Sequence, residues 1–358
     1  MPASSMMTKR PRVARRTTLQ QRPLTRSAHV REVADTAPLD HALQPIRREL
    51  EAVSDRLLAE LAEPVARRVV YLVSAGGKRL RPALVLLAGA SGPSSNRTAL
   101  IDTATAVELI HTATLIHDDI IDQSPLRRSQ PTFHQRWGTE RAVLMGDYLY
   151  ATAFRLLSRV PTAEVMRVIA DVCQDLCRGE LHEVEARYRL DLTEDEYLAI
   201  IRDKTASLIG GCCHTGALLG GCSTETTAGL TKFGVNMGLA FQIIDDCLDL
   251  SGETARLGKA TLTDLDKGIL SLPIVYTIRA LSRTDREKLF APLAKRRTDA
   301  RFLTRVAHAA QQTGAIAAAK QRADGLMREA LQALKALSMN GLAATYEALA
   351  AYTVSRQT

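Results

Sequence analysis

Residues 108–122 read ELIHTATLIHDDIID, an apolar helical stretch that ends in three carboxylates, Asp118, Asp119 and Asp122. At about 100° per residue, Asp118 and Asp122 share one helical face. A second such stretch, GLAFQIIDDCLD, covers residues 238–249 and carries Asp245, Asp246 and Asp249 in the same spacing. Charged groups inside apolar helices are expensive unless they are paired or bind a ligand. One cluster of this kind reads equally well as a helix cap or a solvated face. Two clusters, each presenting carboxylates into a bundle, predict an oxygen-rich pocket for divalent cations that in turn hold a diphosphate. Mg²⁺ suits this mix of carboxylate, water and phosphate oxygens.

The cationic residues extend this reading. GGKRLRP (76–82) places Lys78 and Arg81 with two glycines at a helix start, a natural anion site. Arg127 and Arg128 follow the first acidic cluster closely enough to fold back over it, and Arg forks grip phosphate oxygens two at a time. His111 stands two turns before Asp118 on the same face, about 10 Å away. His111, Lys204, Thr205 and Gln242 are each unremarkable alone and gain weight only as a set.

Outward from these motifs the pattern is helical almost without pause. Leu43, Ile46, Leu50, Val53, Leu57 and Leu61 form one amphipathic stripe. Further helices are predicted near 96–122, 139–159, 162–189, 194–220, 223–250, 284–296, 299–312, 315–336 and 342–355. No alternating run of strand length occurs. With 46% hydrophobic residues but only 4% aromatics, the composition also favours helix over a strand-rich sandwich. The reading is all-α, one large helix bundle over residues 38–358. No apolar run reaches the roughly 18 unbroken residues of a membrane span, which argues against an integral membrane protein.

The net charge of +8 resides in the leader. Lys9, Arg10, Arg12, Arg15, Arg16, Arg22, Arg26 and Arg31 precede the first acidic residue, and removing them leaves 39 basic against 39 acidic residues. The remainder offers no electrostatic case for nucleic acid. Residues 1–37 lack an apolar period and are expected to be a disordered basic extension. An organelle transit peptide is the alternative reading. The six cysteines form no CxxC pair and read as core thiols of a reducing compartment, so the expected location is cytoplasmic.

In this order the motifs GGKRLRP, ELIHTATLIHDDIID, RR (127–128), GDYL (146–149), GE (179–180), KT (204–205) and GLAFQIIDDCLD resemble those of the trans-polyprenyl diphosphate synthases. The match runs from about residue 40 to Arg356. The resemblance implies a homodimeric all-α fold with its active site in a central cavity. It also implies Mg²⁺ held by Asp118 and Asp122 from one side and by Asp245 and Asp249 from the other. Lys78, Arg81, His111 and Arg128 would hold isopentenyl diphosphate. Arg127, Lys204, Thr205, Gln242 and Lys259 would hold the allylic diphosphate. No side-chain nucleophile is needed: the allylic diphosphate ionises, the isopentenyl double bond attacks, and a proton is lost to the released diphosphate.

Two positions depart from the family pattern. Ile269 stands where many members carry lysine, with Lys267 two positions earlier, and Glu183 stands where Gln or Asp is common. Upstream of Asp118, Ala113 and Thr114 are small, whereas bulky aromatics there close the tunnel of short-chain members. The expectation is therefore a long-chain product, with Met145 or Tyr148 as an alternative floor. Such a product implies peripheral membrane contact for its release. The alternatives are a farnesyl or geranylgeranyl diphosphate synthase and, from a different class, a non-catalytic partner subunit. Retention of both acidic clusters argues against the last.

Overall fold

The chain is described here by a computed structural model covering residues 37–63, 65–74, 79–94, 96–128, 130–251, 262–335, 337 and 339–355. Residues 1–36 of the predicted extension, Lys78 and Lys259 lie outside the described residues, and Ala37, the last residue of that extension, opens the first helix. The helices are α1 (Ala37–Ala42), α2 (Arg47–Ala59), α3 (Val65–Ser74), α4 (Leu80–Ala90), α5 (Arg97–Ile121), α6 (Phe133–Trp137), α7 (Thr139–Leu157) and α8 (Ala163–Ala186). They continue as α9 (Glu194–Ile201), α10 (Ser207–Leu219), α11 (Thr224–Ser251), α12 (Thr263–Asp266), α13 (Leu272–Ala280), α14 (Arg283–Ala294), α15 (Ala300–Gln312), α16 (Ala315–Leu334) and α17 (Ala343–Ser355). An antiparallel hairpin, β1 (Leu126–Arg127) with β2 (Gln130–Pro131), is the sheet among the described residues.

Helix α5 forms the axis. Asn96 caps it, its side chain accepting from the Ala99 amide, and it runs 25 residues to the Asp122 cap. It is apolar on nearly all sides, as a central helix must be. By length and composition alone α5 could cross a bilayer, but 78% of its apolar window is buried inside the protein. Helix α5 packs on α4 and α7, α10 lies on α4 and α11, and α11 in turn packs on α16. Pro82 sits in the first turn of α4, where its missing N–H is not needed.

The structure corrects several details of the sequence reading. The first stripe is not one helix: Pro45 starts a 3₁₀ turn, Gln44–Ile46, between α1 and α2, although Leu43, Ile46, Val53, Leu57 and Leu61 are buried as expected. The predicted 194–220 helix is continuous but contains a π turn, Arg202–Ala206, between α9 and α10. Helix α13 was not legible, because its residues are buried almost all round and show no amphipathic period. Of the cysteines, Cys212, Cys213 and Cys247 are buried and Cys173 and Cys222 half-buried, but Cys177 is exposed on α8 and is no core thiol.

The π turn is held by two close approaches. A Cβ on Gly179 of α8 would lie 2.4 Å from the Lys204 backbone nitrogen. On the opposite side, a Cβ on Gly238 of α11 would lie 2.6 Å from the Ala206 Cα. Only glycine permits both contacts. They fix Lys204 and Thr205 between α8 and α11.

Candidate active site

Lys204 projects from the π turn into acid. Its Nζ donates to Glu180 at 2.8 Å and to Glu183. Burial alone would lower its pKa, but Glu183, Glu180 and Asp118 hold it above the ordinary lysine value. Thr205 donates its hydroxyl to Gln242 Oε1 at 3.1 Å, and Gln242 Nε2 donates to Asp246 at 2.9 Å. Asp246 is buried and also accepts from the Tyr197 hydroxyl at 2.6 Å. Burial pushes its carboxyl to about 8 despite these two donors. A cavity of about 120 Å³ opens here, lined by Asp122, Glu183, Lys204, Thr205, Gln242, Asp246, Asp264 and Ile269, among others.

The two acidic clusters frame this cavity. Asp118, half-buried at the end of α5, is pushed by burial to about 7, opposed by Lys204 and reinforced by Glu180. Asp119 is buried and takes both Nε (3.0 Å) and Nη2 (2.9 Å) of Arg127. Asp122 accepts from Arg187 Nη2 at 2.8 Å and lies 3.4 Å from Lys267 Nζ. On α11, Asp249 accepts from the Leu262 amide at 3.2 Å and is pushed by burial to about 7. Asp264 is raised by burial too, facing Lys267, Asp122, Lys204 and Arg187.

A separate basic group borders Asp245. Arg81 Nη1 lies 3.0 Å from His111 Nε2, where the arginine donates to a neutral imidazole. Burial lowers the His111 pKa well below the ordinary histidine value, and Arg81, Arg127 and Arg128 add to the effect. Burial also lowers Arg81, which the charges of Glu108 and Asp245 partly offset. Arg128, in left-handed backbone with φ 50°, faces Glu108 and Arg127. Thus Asp118, Asp122, Lys204, Thr205 and Gln242 gather at one subsite, and Arg81, His111 and Arg128 at another. Ala113 is fully buried, while Thr114 is half-buried and donates its hydroxyl to the His111 carbonyl at 2.8 Å. Met145 is buried and Tyr148 half-buried on α7.

The sequence reading missed Arg187, Tyr197 and the clamp of Glu180 on Lys204, since all three depend on contacts between distant helices. The sequence reading left open what replaces the lysine absent at 269, with Lys267 two positions away; the structure brings Lys267 to Asp122 and to Ser124 Oγ, to which it donates at 3.0 Å.

A divalent cation suits these residues. The donors are carboxylate oxygens, and Glu180 Oε1 is buried without a hydrogen-bond partner. The carboxyls of Asp118 and Asp249 are raised chiefly by burial, a desolvation that a bound divalent cation would offset. Among the described residues no three His, Cys, Asp or Glu side chains converge as a closed metal cage. An ion with one or two carboxylates here would complete its shell from water and phosphate, as Mg²⁺ prefers.

The fold and site define a class: an all-α protein in which carboxylates from two helices, Asp122 at the end of α5 and Asp246 on α11, line one cavity with Lys204. Its chain belongs to the polyprenyl synthetase family, whose model matches residues 62–309. It is 35% identical over 318 residues to the "heptaprenyl diphosphate synthase component 2" of Geobacillus stearothermophilus, covering 89% of this chain and 97% of that one. It is 39% identical over 229 residues to a geranylgeranyl diphosphate synthase of Methanosarcina mazei, covering 63% and 70% respectively. The structure of a polyprenyl synthase from Caulobacter crescentus CB15, complexed with calcium and isoprenyl diphosphate, superposes with a TM-score of 0.85 at 30% identity. That match covers 89% of this chain and 98% of the other.

Proposed function

We propose that this protein condenses isopentenyl diphosphate with an allylic diphosphate to give a long-chain all-trans polyprenyl diphosphate. The observation that carries the reading is the convergence of Asp122 at the end of α5 with Lys204, Thr205, Gln242 and Asp246 about one acidic cavity, with Asp118 facing Lys204. Asp118, Asp122, Asp245 and Asp249 would hold Mg²⁺, which when bound supplies neutralisation of the departing diphosphate. Lys204, Arg127 and Lys259 would bind the allylic diphosphate, and Lys78, Arg81, His111 and Arg128 would orient isopentenyl diphosphate. His111, uncharged and accepting from Arg81, keeps its other ring nitrogen as a donor. The Thr205 and Gln242 dipoles would stabilise the developing carbocation, and the released diphosphate would take the proton. Water is kept from the carbocation by the apolar wall of Ile200, Ile201, Ile269 and Leu270.

Small residues at Ala113 and Thr114 support the long product. So does a heptaprenyl-type relative matched along nearly its whole length. Exposed Val143 and Leu144 on α7 and Leu181 and Val184 on α8 support a homodimer through these helices. A second reading is favoured by that relative's name, in which "component 2" marks one part of a larger synthase; on it, this chain would act with another subunit. Asp118→Ala and Asp245→Ala test the site. Each should abolish turnover by the purified chain with Mg²⁺, while the helical circular dichroism is unchanged. Near-normal turnover in either variant would remove the metal assignment.

A further inference from the structure

Asp122 is unusual among the carboxylates of the cavity in that a separate cation meets each of its oxygens. Arg187 Nη2 reaches Oδ1 and Lys267 Nζ reaches Oδ2, from opposite sides in the sequence. The two cations stand on segments that are tied together. The Tyr188 amide donates to the Gly268 carbonyl at 2.7 Å, so the residue after Arg187 is fastened to the residue after Lys267. Both tied residues have left-handed backbone, Tyr188 at φ 66° and Gly268 at φ 82°. A bulky residue in that region is strained and persists only where its surroundings impose it. The Tyr188 ring packs over Gly268 closely enough that a Cβ there would meet it at 2.6 Å, and Arg296 covers the ring at 4.9 Å. Arg187 and Lys267 are therefore held as a pair.

Two cations thus converge on the single carboxylate of Asp122, and both also face Asp264. Arg187 Nε is in addition buried without a hydrogen-bond partner. A guanidinium with a donor left over, beside a lysine that shares the same carboxylate, matches a diphosphate better than it matches one aspartate. Ile269 lines the cavity where the family resemblance leads one to expect a lysine, and Lys267, two residues earlier, faces the lining carboxylates Asp122 and Asp264. We propose that Arg187 and Lys267 are paired positioning residues: they neutralise Asp122 in the resting protein and pass to the allylic diphosphate when Asp122 binds a divalent cation. This inference rests on the reading of Asp122 as a metal-binding carboxylate.

Binding measurements on the full chain without turnover test it, with Mn²⁺ as the probe cation and inorganic diphosphate as the anion. Arg187→Gln and Lys267→Gln remove the charge and leave a shorter, neutral polar side chain. In each, Mn²⁺ alone should bind about threefold to tenfold more tightly, because a competing cation is gone. Diphosphate in the presence of saturating Mn²⁺ should bind about tenfold more weakly, because a charge-assisted contact is gone. Arg187→Lys should restore most of the diphosphate affinity. A purely structural ion pair would give unchanged affinities, or a parallel loss of both, and either result overturns the proposal. Lys267, attached through its tip, provides the same sign test if Arg187→Gln melts early. Asp122→Asn separates the two levels. If it abolishes Mn²⁺ binding while the charge variants change neither affinity, only this inference fails. If it leaves Mn²⁺ binding intact, the metal reading fails and takes the inference with it.

Discussion

Substitution of Gly179 by alanine probes how the fold sets the chemistry. The added Cβ would lie 2.4 Å from Lys204 N, 2.8 Å from Lys204 Cα and 2.9 Å from Asp203 C, all backbone atoms. An ordinary contact needs roughly 3.4 Å or more, so α8 and the π turn must part by about 1 Å. Retreat toward α11 is blocked, because Gly238 already admits Ala206 at a distance only glycine allows. Overpacking of this kind costs about 1–3 kcal/mol, offset by the 0.5–1 kcal/mol or so that alanine gains over glycine in a helix. Stability should therefore fall by no more than about 2.5 kcal/mol. Activity should fall further, since a displacement of about 1 Å in a positioned group can cost about 10²-fold. The assay is diphosphate release with isopentenyl and farnesyl diphosphates, alongside thermal melting by circular dichroism. Gly325→Ala on α16 is the control: its nearest neighbour is Arg328 Nη2 at 3.8 Å, so it should keep full activity. A Gly179→Ala enzyme with kcat within twofold of the parent would refute the claim that this contact places Lys204 and Thr205.

Placing Phe at Ala113 or Thr114 should shorten the product distribution without abolishing turnover; an unchanged distribution on chromatographic sizing would put the tunnel floor elsewhere. Asp118 and Asp249 titrate near 7 because burial disfavours their charged forms. Mg²⁺ affinity should therefore rise between pH 6 and 8 with proton release, seen as a buffer-dependent heat in calorimetry. The same shift has a stability consequence. Folded-state carboxyls raised above their unfolded values favour folding at low pH, and that contribution is lost as pH rises through about 7. Metal-free protein should accordingly melt lower at pH 8 than at pH 6 in chelator; equal melting temperatures would contradict the assigned burial. Deletion of residues 1–37 should leave activity and melting temperature unchanged, and a clear drop in either would show that the leader contributes to the folded part.

The acidic clusters were legible because a spacing of four residues places two carboxylates on one helical face wherever the helix lies. The long helices were legible for the same reason of period. Helix α13 was not, because Leu272 to Val275, Thr277 and Ile278 are all buried and leave no polar face to mark a period. The π turn at Arg202–Ala206 left no trace in the residue pattern; its cause is the pair of distant glycines that press on it. The partners of Lys267 could not be read by counting along the chain, since its reach to Asp122 spans from the α12 end to the α5 end. Arg187 and Tyr197 serve Asp122 and Asp246 through tertiary contact alone. Cys177 has only Leu176 as an apolar neighbour and stands beside Arg178 on the exposed side of α8, which the reading as a core thiol overlooked.

Incubation of the purified chain alone with Mg²⁺, isopentenyl diphosphate and farnesyl diphosphate, followed by mass measurement of the products, tests the central claim most directly. The account predicts diphosphate release coupled to chain growth, with products longer than geranylgeranyl diphosphate and none when the metal is chelated. Absence of condensation by the single chain would contradict it, and products that stop at geranylgeranyl diphosphate would contradict the long-chain assignment.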